Sequence, residues 1–129
     1  MSATDALRAL VQRYARAADE RDIEALAELF HPVASIEGAR GKQTLAEWLE
    51  VMRGPRAIPT SMHMLGDPLI EFTGDDRATL DTYGVVYQLG DTKAGQGDLT
   101  LGVRYLDEVD APDGTWRIRA RVARTLWMR

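Results

Sequence analysis

The chain has 129 residues, of which 45% are hydrophobic and 28% charged, a composition that predicts a single globular domain over residues 1–129. It contains no cysteine, which excludes disulfides, thiolate metal ligands and a cysteine nucleophile. A net charge of −4 argues against nucleic-acid binding, because phosphate recognition needs a basic face. There is no apolar run of about 18 residues and no apolar signal core, so we expect no membrane partner and a cytoplasmic location.

The first third of the chain has the periodicity of helices. Apolar residues recur at steps of three and four, which predicts one buried helix face. That face consists of Ala6, Leu7, Leu10, Val11, Tyr14, Ala17 and Ala18. Asp22 is the predicted N-cap of a short second helix, with Leu26, Leu29 and Phe30 turned inward. Pro32 is predicted to mark its end, since proline cannot continue the hydrogen-bond ladder.

A short strand is predicted from Val33 to Glu37, followed by a glycine-containing loop. Thr44 and Glu47 then have the spacing of a capping box, which predicts the start of a third helix. The buried stripe of this helix is expected to contain Leu45, Trp48, Leu49 and Met52. Gly54-Pro55 is its predicted stop.

After residue 59 the apolar period falls to two, which is typical of strands. We predict strands at about 61–73, 77–90, 98–109 and 115–127, joined by segments with turn composition. Long consecutive strands joined by hairpins favour an antiparallel sheet. Helices followed by such strands indicate an α+β domain, with three helices packed on one face of the sheet.

Three polar residues occupy positions where the apolar pattern runs inward. Tyr14 lies on the buried stripe of the first helix, Asp19 lies about five residues later, and His63 shares a strand face with Leu65. A histidine exchanges protons near neutral pH, a carboxylate beside it selects one tautomer, and a tyrosine hydroxyl can donate to a developing oxyanion. Together they could remove a proton from carbon and help to expel a neighbouring group.

Each of these residues also has a structural interpretation. Asp19 belongs to a charged run of the kind that usually forms a solvated helix end. A lone histidine on a strand is often structural, and Tyr14 could be a core aromatic whose hydroxyl reaches a partner. The other histidine, His31, is expected to be an exposed cap after a helix.

Other recognisable sites are absent. Two histidines exclude a three-histidine zinc site, and no H-E-x-x-H, G-x-S-x-G, P-loop or G-x-G-x-x-G motif occurs. We therefore expect neither a metal nor a cofactor. Arg117, Arg119 and Arg121 alternate in the last strand, which predicts a solvated or dimer-facing stripe and only weakly an anion site.

Two further arginines, Arg104 and Arg124, fall on otherwise apolar strand faces. Either could point inward and orient a substrate, or could pair with Asp19 or Glu71. Both alternatives stay open at the level of the sequence.

Several short motifs resemble the SnoaL-like branch of the nuclear-transport-factor-2-like superfamily. The stretch from Tyr14 to Asp22 resembles its Y-x-x-x-x-D-x-x-D motif at the end of the first helix. The residues Ser61 to Glu71 resemble its [ST]-x-H-x-x-G-x-x-x-I-E strand, and Trp116-Arg117-Ile118 resembles its W-[RK]-I. The resemblance implies a cone-shaped α+β fold in which three N-terminal helices pack on a curved, mainly antiparallel sheet.

Within that superfamily the Asp–His combination resembles scytalone dehydratase, hexachlorocyclohexane dehydrochlorinase and bile-acid 7α-dehydratase. The resemblance implies that His63 is the base, Asp19 its carboxylate partner and Tyr14 a pocket tyrosine. The ketosteroid isomerase branch fits less well, because its acidic base would fall at Gly38. The aspartate pair of limonene-epoxide-hydrolase-like relatives has no counterpart either.

These expectations combine into a cofactor-independent lyase or isomerase that acts on a small hydrophobic ring compound, such as a polyketide, steroid-like or aromatic molecule. The expected pocket residues are Trp48, Met52, Leu65, Arg104 and Trp127. One alternative is a non-catalytic module that binds a small molecule, and another is an assembly role. A sheet face left open by the helices predicts a homodimer or higher homo-oligomer.

Overall fold

The computed structural model describes residues 1–129 and contains three α-helices, seven strands and a short 3₁₀ turn. The helices are α1 (Ala3–Glu20), α2 (Ile23–Glu28) and α3 (Leu45–Arg53). The strands are β1 (Phe30–Gly38), β2 (Gly41–Thr44), β3 (Thr60–Leu65), β4 (Leu69–Gly74), β5 (Arg77–Leu89), β6 (Leu99–Asp110) and β7 (Arg117–Met128). No helix is both long enough and apolar enough to cross a membrane.

The predicted face of α1 is buried, with Leu7 fully enclosed and Tyr14 7% exposed. Asp22 caps α2 as predicted, because its side chain accepts the N–H of Ala25 at 3.1 Å. The predicted end of α2 was wrong: the helix stops at Glu28 and Phe30 already begins β1. Pairing with β7 recruits this segment into the sheet, so the proline after it lies inside a strand.

Helix α3 begins as the sequence predicts. The Thr44 hydroxyl accepts the Glu47 N–H at 3.2 Å, and the Glu47 carboxylate accepts the Thr44 N–H at 3.0 Å. This reciprocal capping box satisfies two amide groups that have no partner inside the helix. The face carrying Leu45, Trp48 and Leu49 is buried, and these residues join side chains of α1, α2 and the sheet in one core cluster.

The strands form one curved, open sheet in the order β2-β1-β7-β6-β5-β3, with β4 also paired to β5. Strands β1 and β7 run parallel, and every other pair is antiparallel. The predicted single strand 61–73 is in fact two strands. Gly66-Asp67-Pro68 separates them, and Pro68 has no N–H to contribute to the ladder.

Strand β7 contains an irregularity that changes which side chains face the core. Ala120 pairs with Glu108 but Ile118 pairs with Val109, so one extra residue is inserted in β7 between them. The insertion inverts the alternation and places Arg121 on the inner face, 4% exposed. The predicted solvated stripe of three arginines was therefore wrong, because strict alternation does not hold across a bulge.

Candidate active site

A cavity of about 350 Å³ lies between α1, α3 and the inner face of β3, β5 and β6. Ten of its sixteen lining residues are hydrophobic. The lining consists of Tyr14, Ala18, Arg21, Arg40, Trp48, Met52, Arg56, Ala57, Ile58, Ser61, His63, Val86, Gln88, Leu101, Val103 and Tyr105. A concave, mainly apolar site with few polar groups is typical of small-molecule binding.

His63 and Asp19 form a hydrogen-bonded pair at the wall of this cavity. The Nδ1 atom of His63 lies 2.6 Å from Oδ1 of Asp19, and the His63 backbone N–H donates to Oδ2 at 2.9 Å. The Ser61 hydroxyl also donates to Oδ1, at 2.9 Å. Because the Asp19 carboxylate accepts a hydrogen bond from Nδ1 of His63, it holds the imidazole in the tautomer that carries its proton on Nδ1. Nε2 of His63 makes no hydrogen bond within the chain and remains an acceptor.

The surrounding elements explain how this pair forms. Asp19 lies in the last turn of α1, where a negative charge opposes the helix dipole. Three donors from β3 offset that cost by satisfying the carboxylate. His63 and Ser61 lie two residues apart on β3, so alternation turns both side chains to the inner face. The site therefore depends on the packing of α1 against β3.

Two tyrosines form the buried floor beside His63. The Tyr14 ring meets the imidazole edge to face, with centroids 5.9 Å apart, and meets the Tyr105 ring at 5.6 Å. Burial raises the pKa of Tyr105, and the neighbouring Tyr14 raises it further. The Tyr105 hydroxyl therefore stays protonated over the ordinary pH range and can act as a donor. Tyr105 was not among the site residues expected from the sequence, although alternation with Val103 marks the position as inward.

Beneath the tyrosines lies a buried ion pair. Arg121 donates to both carboxylate oxygens of Asp107, at 2.7 and 3.0 Å, and its guanidinium lies 4.0 Å from the Tyr14 ring centroid. Burial alone would lower the pKa of Arg121, but Asp107, Tyr14 and Tyr105 outweigh it and raise that pKa. Arg121 is therefore a permanent cation under the aromatic floor, where it attracts the negative faces of the rings.

Of the expected pocket residues, Trp48 and Met52 line the cavity, whereas Leu65, Arg104 and Trp127 do not. Leu65 packs against the core beyond His63. Arg104 lies on the opposite sheet face, because Val103 and Tyr105 on either side of it point inward.

On that outer face Arg104 binds Asp81 through two hydrogen bonds of 2.9 and 2.6 Å, and pairs with neither predicted carboxylate. Arg124 is its cross-strand partner and is exposed there as well. Trp127 packs on Gly102, where a Cβ atom would lie only 2.1 Å from the indole nitrogen. These three residues follow the pleat of β6 and β7 away from the cavity.

Three arginines that were not expected from the sequence also line the cavity: Arg21, Arg40 and Arg56. They come from the end of α1, the β1–β2 turn and the segment after α3. Arg56 donates to the Ser61 hydroxyl at 3.2 Å and to the Asp19 carbonyl at 3.2 Å. No local pattern relates these three positions, because only the tertiary fold brings them together.

The expectation of an exposed His31 was wrong. His31 is 8% exposed in β1, and its Nε2 atom pairs with Asp110 at the end of β6. The other oxygen of Asp110 accepts from Arg119 at 2.7 Å. His31 does not line the cavity, and no group of three or more His, Asp or Glu side chains is arranged to bind a metal ion.

Several solved structures have a fold similar to that of this chain. A candidate scytalone dehydratase from Novosphingobium aromaticivorans DSM 12444 has a TM-score of 0.85 at 19% identity, covering 97% of this chain and 85% of that chain. The hexachlorocyclohexane dehydrochlorinase LinA-type3 from Novosphingobium barchaimii LL02 has a TM-score of 0.85 at 16% identity, with 97% and 87% covered. Rv3472 of Mycobacterium tuberculosis, a protein of unknown function, has a TM-score of 0.79 at 25% identity, with 93% and 69% covered.

No curated protein matches the sequence. The sequence profile of the SnoaL-like domain, in contrast, matches residues 1–122. This match covers both members of the His63–Asp19 pair and all elements except the second half of β7. The resemblance seen in the sequence motifs is thereby confirmed, and the chain belongs to the SnoaL-like domain family.

Proposed function

We propose that the chain is a cofactor-independent lyase or isomerase that acts on a small hydrophobic ring compound, with His63 as general base. The observation that carries this proposal is the 2.6 Å contact between His63 and Asp19 at the wall of a mainly apolar cavity. The names of two similar structures, a dehydratase and a dehydrochlorinase, describe eliminations and support the same reaction class.

The proposed reaction begins when Nε2 of His63 removes a proton from a ring carbon. The electron pair of that C–H bond forms a double bond to the neighbouring carbon, from which the leaving group departs with its own electron pair. Asp19 stabilises the imidazolium, which then returns the proton to the leaving group. In an isomerisation the same proton is returned to a different carbon.

The tyrosine floor supports the second half of this reaction. Tyr14 and Tyr105 line the cavity next to His63, and a phenol can donate to an oxygen on which negative charge develops. Both rings are buried, so a hydrogen bond formed beside them lies in surroundings of low dielectric constant and is strengthened. We assign Tyr14 the role of assisting the substrate oxygen or the leaving group.

The first test is turnover of a panel of hydroxylated and halogenated ring compounds. Absorbance is used to monitor formation of the conjugated alkene. His63→Gln should lower kcat/KM by about 10²–10⁴-fold, the usual contribution of a positioned acid or base. His31→Gln is the matched control, because it alters the other buried His–Asp pair without touching the cavity. A loss of less than about tenfold in His63→Gln would contradict the proposal.

The competing function is ligand binding without turnover, which the apolar lining would also permit. It predicts that a ring compound binds the wild type and is recovered unchanged after long incubation. It also predicts that His63→Gln changes affinity and no rate. Recovery of a bound compound as its elimination or isomerisation product would exclude this alternative.

A further inference from the structure

Charge is distributed unevenly around the cavity. Its sixteen lining residues include Arg21, Arg40 and Arg56 but no aspartate or glutamate. The carboxylate of Asp19 is hydrogen-bonded to two lining residues, His63 and Ser61, and is not itself part of the lining. The whole chain has a net charge of −4, so this cluster is a local positive region on an acidic protein. A positive cavity attracts ligands of opposite charge.

None of these three arginines forms an ion pair. Arg21 contacts the Met52 sulfur at 3.2 Å, Arg56 contacts two neutral oxygens, and Arg40 makes no side-chain hydrogen bond. Four arginines on the sheet, by contrast, each pair with a carboxylate: Arg104, Arg117, Arg119 and Arg121. The three guanidinium groups at the cavity therefore keep their capacity to bind an anion.

The backbone of Arg21 is a second, independent observation. Its φ of 53° and ψ of 39° lie in the left-handed region, where glycine is the favoured residue after a helix. Arg21 is the only non-glycine residue in the chain with a positive φ. A strained position occupied by a cavity-lining side chain is typical of functional sites. Partial burial, together with repulsion from Arg56 and Arg40, lowers the pKa of Arg21.

The cavity has an apolar inner end and a charged outer end. Tyr14, Trp48 and Tyr105 are each less than 10% exposed, whereas Arg40 and Arg56 are exposed. A ligand that fills such a site would place a ring inside and a polar group at the outer rim. The volume of about 350 Å³ lies at the low end of the roughly 300–1,000 Å³ range of ligand pockets, so it suits a compact ring system.

We propose that the ligand is an amphipathic anion, with its ring beside His63 and a carboxylate or phosphate group held by Arg21, Arg40 and Arg56. This inference rests on the proposed function for the position of the ring, and it adds the chemical class of the substrate. The planar guanidinium matches both anions through paired N–H···O bonds. Three such groups converging on one rim select for the anionic end of the molecule.

The test measures binding without turnover, by calorimetry at low ionic strength. The probes are 2-naphthoate, 2-naphthyl phosphate and the neutral methyl 2-naphthoate, which share one bicyclic ring. At least one anion should bind about tenfold or more tightly than the neutral ester, with the preference weakening as salt is added. The tighter of the two anions identifies the group that the rim accepts. Equal affinity for all three probes, or no detectable binding of either anion, would overturn the inference.

The variants Arg21→Gln and Arg40→Gln should each weaken anion binding about tenfold or more and leave binding of the ester unchanged, because each removes one charge-assisted contact. Arg40 lies exposed in the β1–β2 turn, so Arg40→Gln should fold normally. Arg124→Gln is the matched control, since Arg124 is exposed on the outer face of the sheet. Unchanged anion binding in both cavity variants would overturn the inference.

The same probes separate this inference from the proposed function. If His63→Gln binds the anion as well as the wild type does, and no panel compound is turned over by either protein, the anion site stands and the lyase proposal fails. If ring compounds are turned over by the wild type and the two naphthyl anions bind it no more tightly than the neutral ester does, the lyase proposal stands and the anion site fails.

Discussion

The chain contains two histidines, and each pairs with an aspartate, but the two pairs lie in different surroundings. In the cavity pair, Asp19 accepts from Nδ1 of His63 and from two further donors on β3, and Nε2 is left without a partner. In the other pair, which joins β1 to the end of β6, Nε2 of His31 is the atom that contacts Asp110. The same two side chains thus present a free acceptor to a cavity in one place and not in the other.

The carboxylates differ in the same way. Arg119 donates to the second oxygen of Asp110 at 2.7 Å, so the charge of Asp110 is already paired with a permanent cation. Only neutral groups donate to Asp19 apart from His63 itself, which leaves its negative charge to stabilise an imidazolium. The comparison indicates that a His–Asp pair becomes a candidate base when its unpaired nitrogen faces an open cavity, and that the pairing alone can serve the structure.

The largest expected difference is in catalysis. Asp19→Asn should lower kcat/KM by about 10²–10⁴-fold toward any panel compound that the wild type converts, because the amide stabilises neither the tautomer nor the imidazolium. Asp110→Asn should leave the rate within about threefold, because Asp110 does not reach the cavity. Imidazole ¹⁵N spectra check the cause: the His63 tautomer should change in Asp19→Asn and the His31 signals should not. An unchanged His63 spectrum would remove the physical basis for a catalytic pair.

Among the changes considered, loss of the buried ion pair between Arg121 and Asp107 should have the largest effect on stability. The Arg121 guanidinium lies 4.0 Å from the centroid of the Tyr14 ring and 5.7 Å from that of the Phe30 ring. Tyr14 contacts His63, and Phe30 directly precedes His31 in the chain, so the guanidinium lies against one neighbour of each histidine. Arg121→Met should lower the free energy of unfolding by about 3–5 kcal/mol, because Asp107 is left buried and unpaired. Urea unfolding measures this loss. Arg121→Met combined with Asp107→Leu should recover most of it, and failure to recover would mean that the stacking matters more than the charge.

Substitution of the two histidines should affect stability and rate differently, and the stability effect is smaller than that of Arg121→Met. His31→Gln should lower the free energy of unfolding by about 1–3 kcal/mol, because it weakens a buried bond to a charged partner. It should not change kcat, whereas His63→Gln should change kcat with a smaller stability cost, since its cavity side is already open. Parallel urea unfolding and rate measurements on the two variants test this. An equal loss of rate in both variants would show that the two pairs are coupled.

The sequence was sufficient where local patterns decide the structure. The buried stripe of α1 and the Thr44–Glu47 capping box follow from periodicity and spacing within one helix. The inward positions of Tyr14 and His63 follow from the same reasoning. Short motifs spread over the chain were sufficient to predict the family.

The failures have one common cause, which is that long-range pairing overrides the local pattern. His31 looked like a cap because its partner lies 79 residues away, and Arg121 looked exposed because a bulge in β7 inverts the alternation. Arg104 looked like a possible inward charge, but the pleat of β6 turns it outward to Asp81. The convergence of arginines from three separate segments leaves no periodic trace in the sequence.

The smallest expected effect concerns acid stability and bears on the His31–Asp110 pair alone. Burial tends to raise the pKa of Asp110, but hydrogen bonds from Arg119 and His31 outweigh it and hold that pKa below its usual value. A carboxyl whose pKa is lower in the folded state stabilises the fold above its unfolded pKa of about 3.9, and this stabilisation is lost as the pH falls through the folded value. The free energy of unfolding of the wild type should therefore decline from about pH 5 downward, and Asp110→Asn should show a shallower decline. Chemical unfolding at a series of pH values between about 2 and 6 measures both slopes. Identical slopes would mean that Asp110 titrates alike in the folded and unfolded chains, and that Arg119 and His31 contribute contact without electrostatic stabilisation.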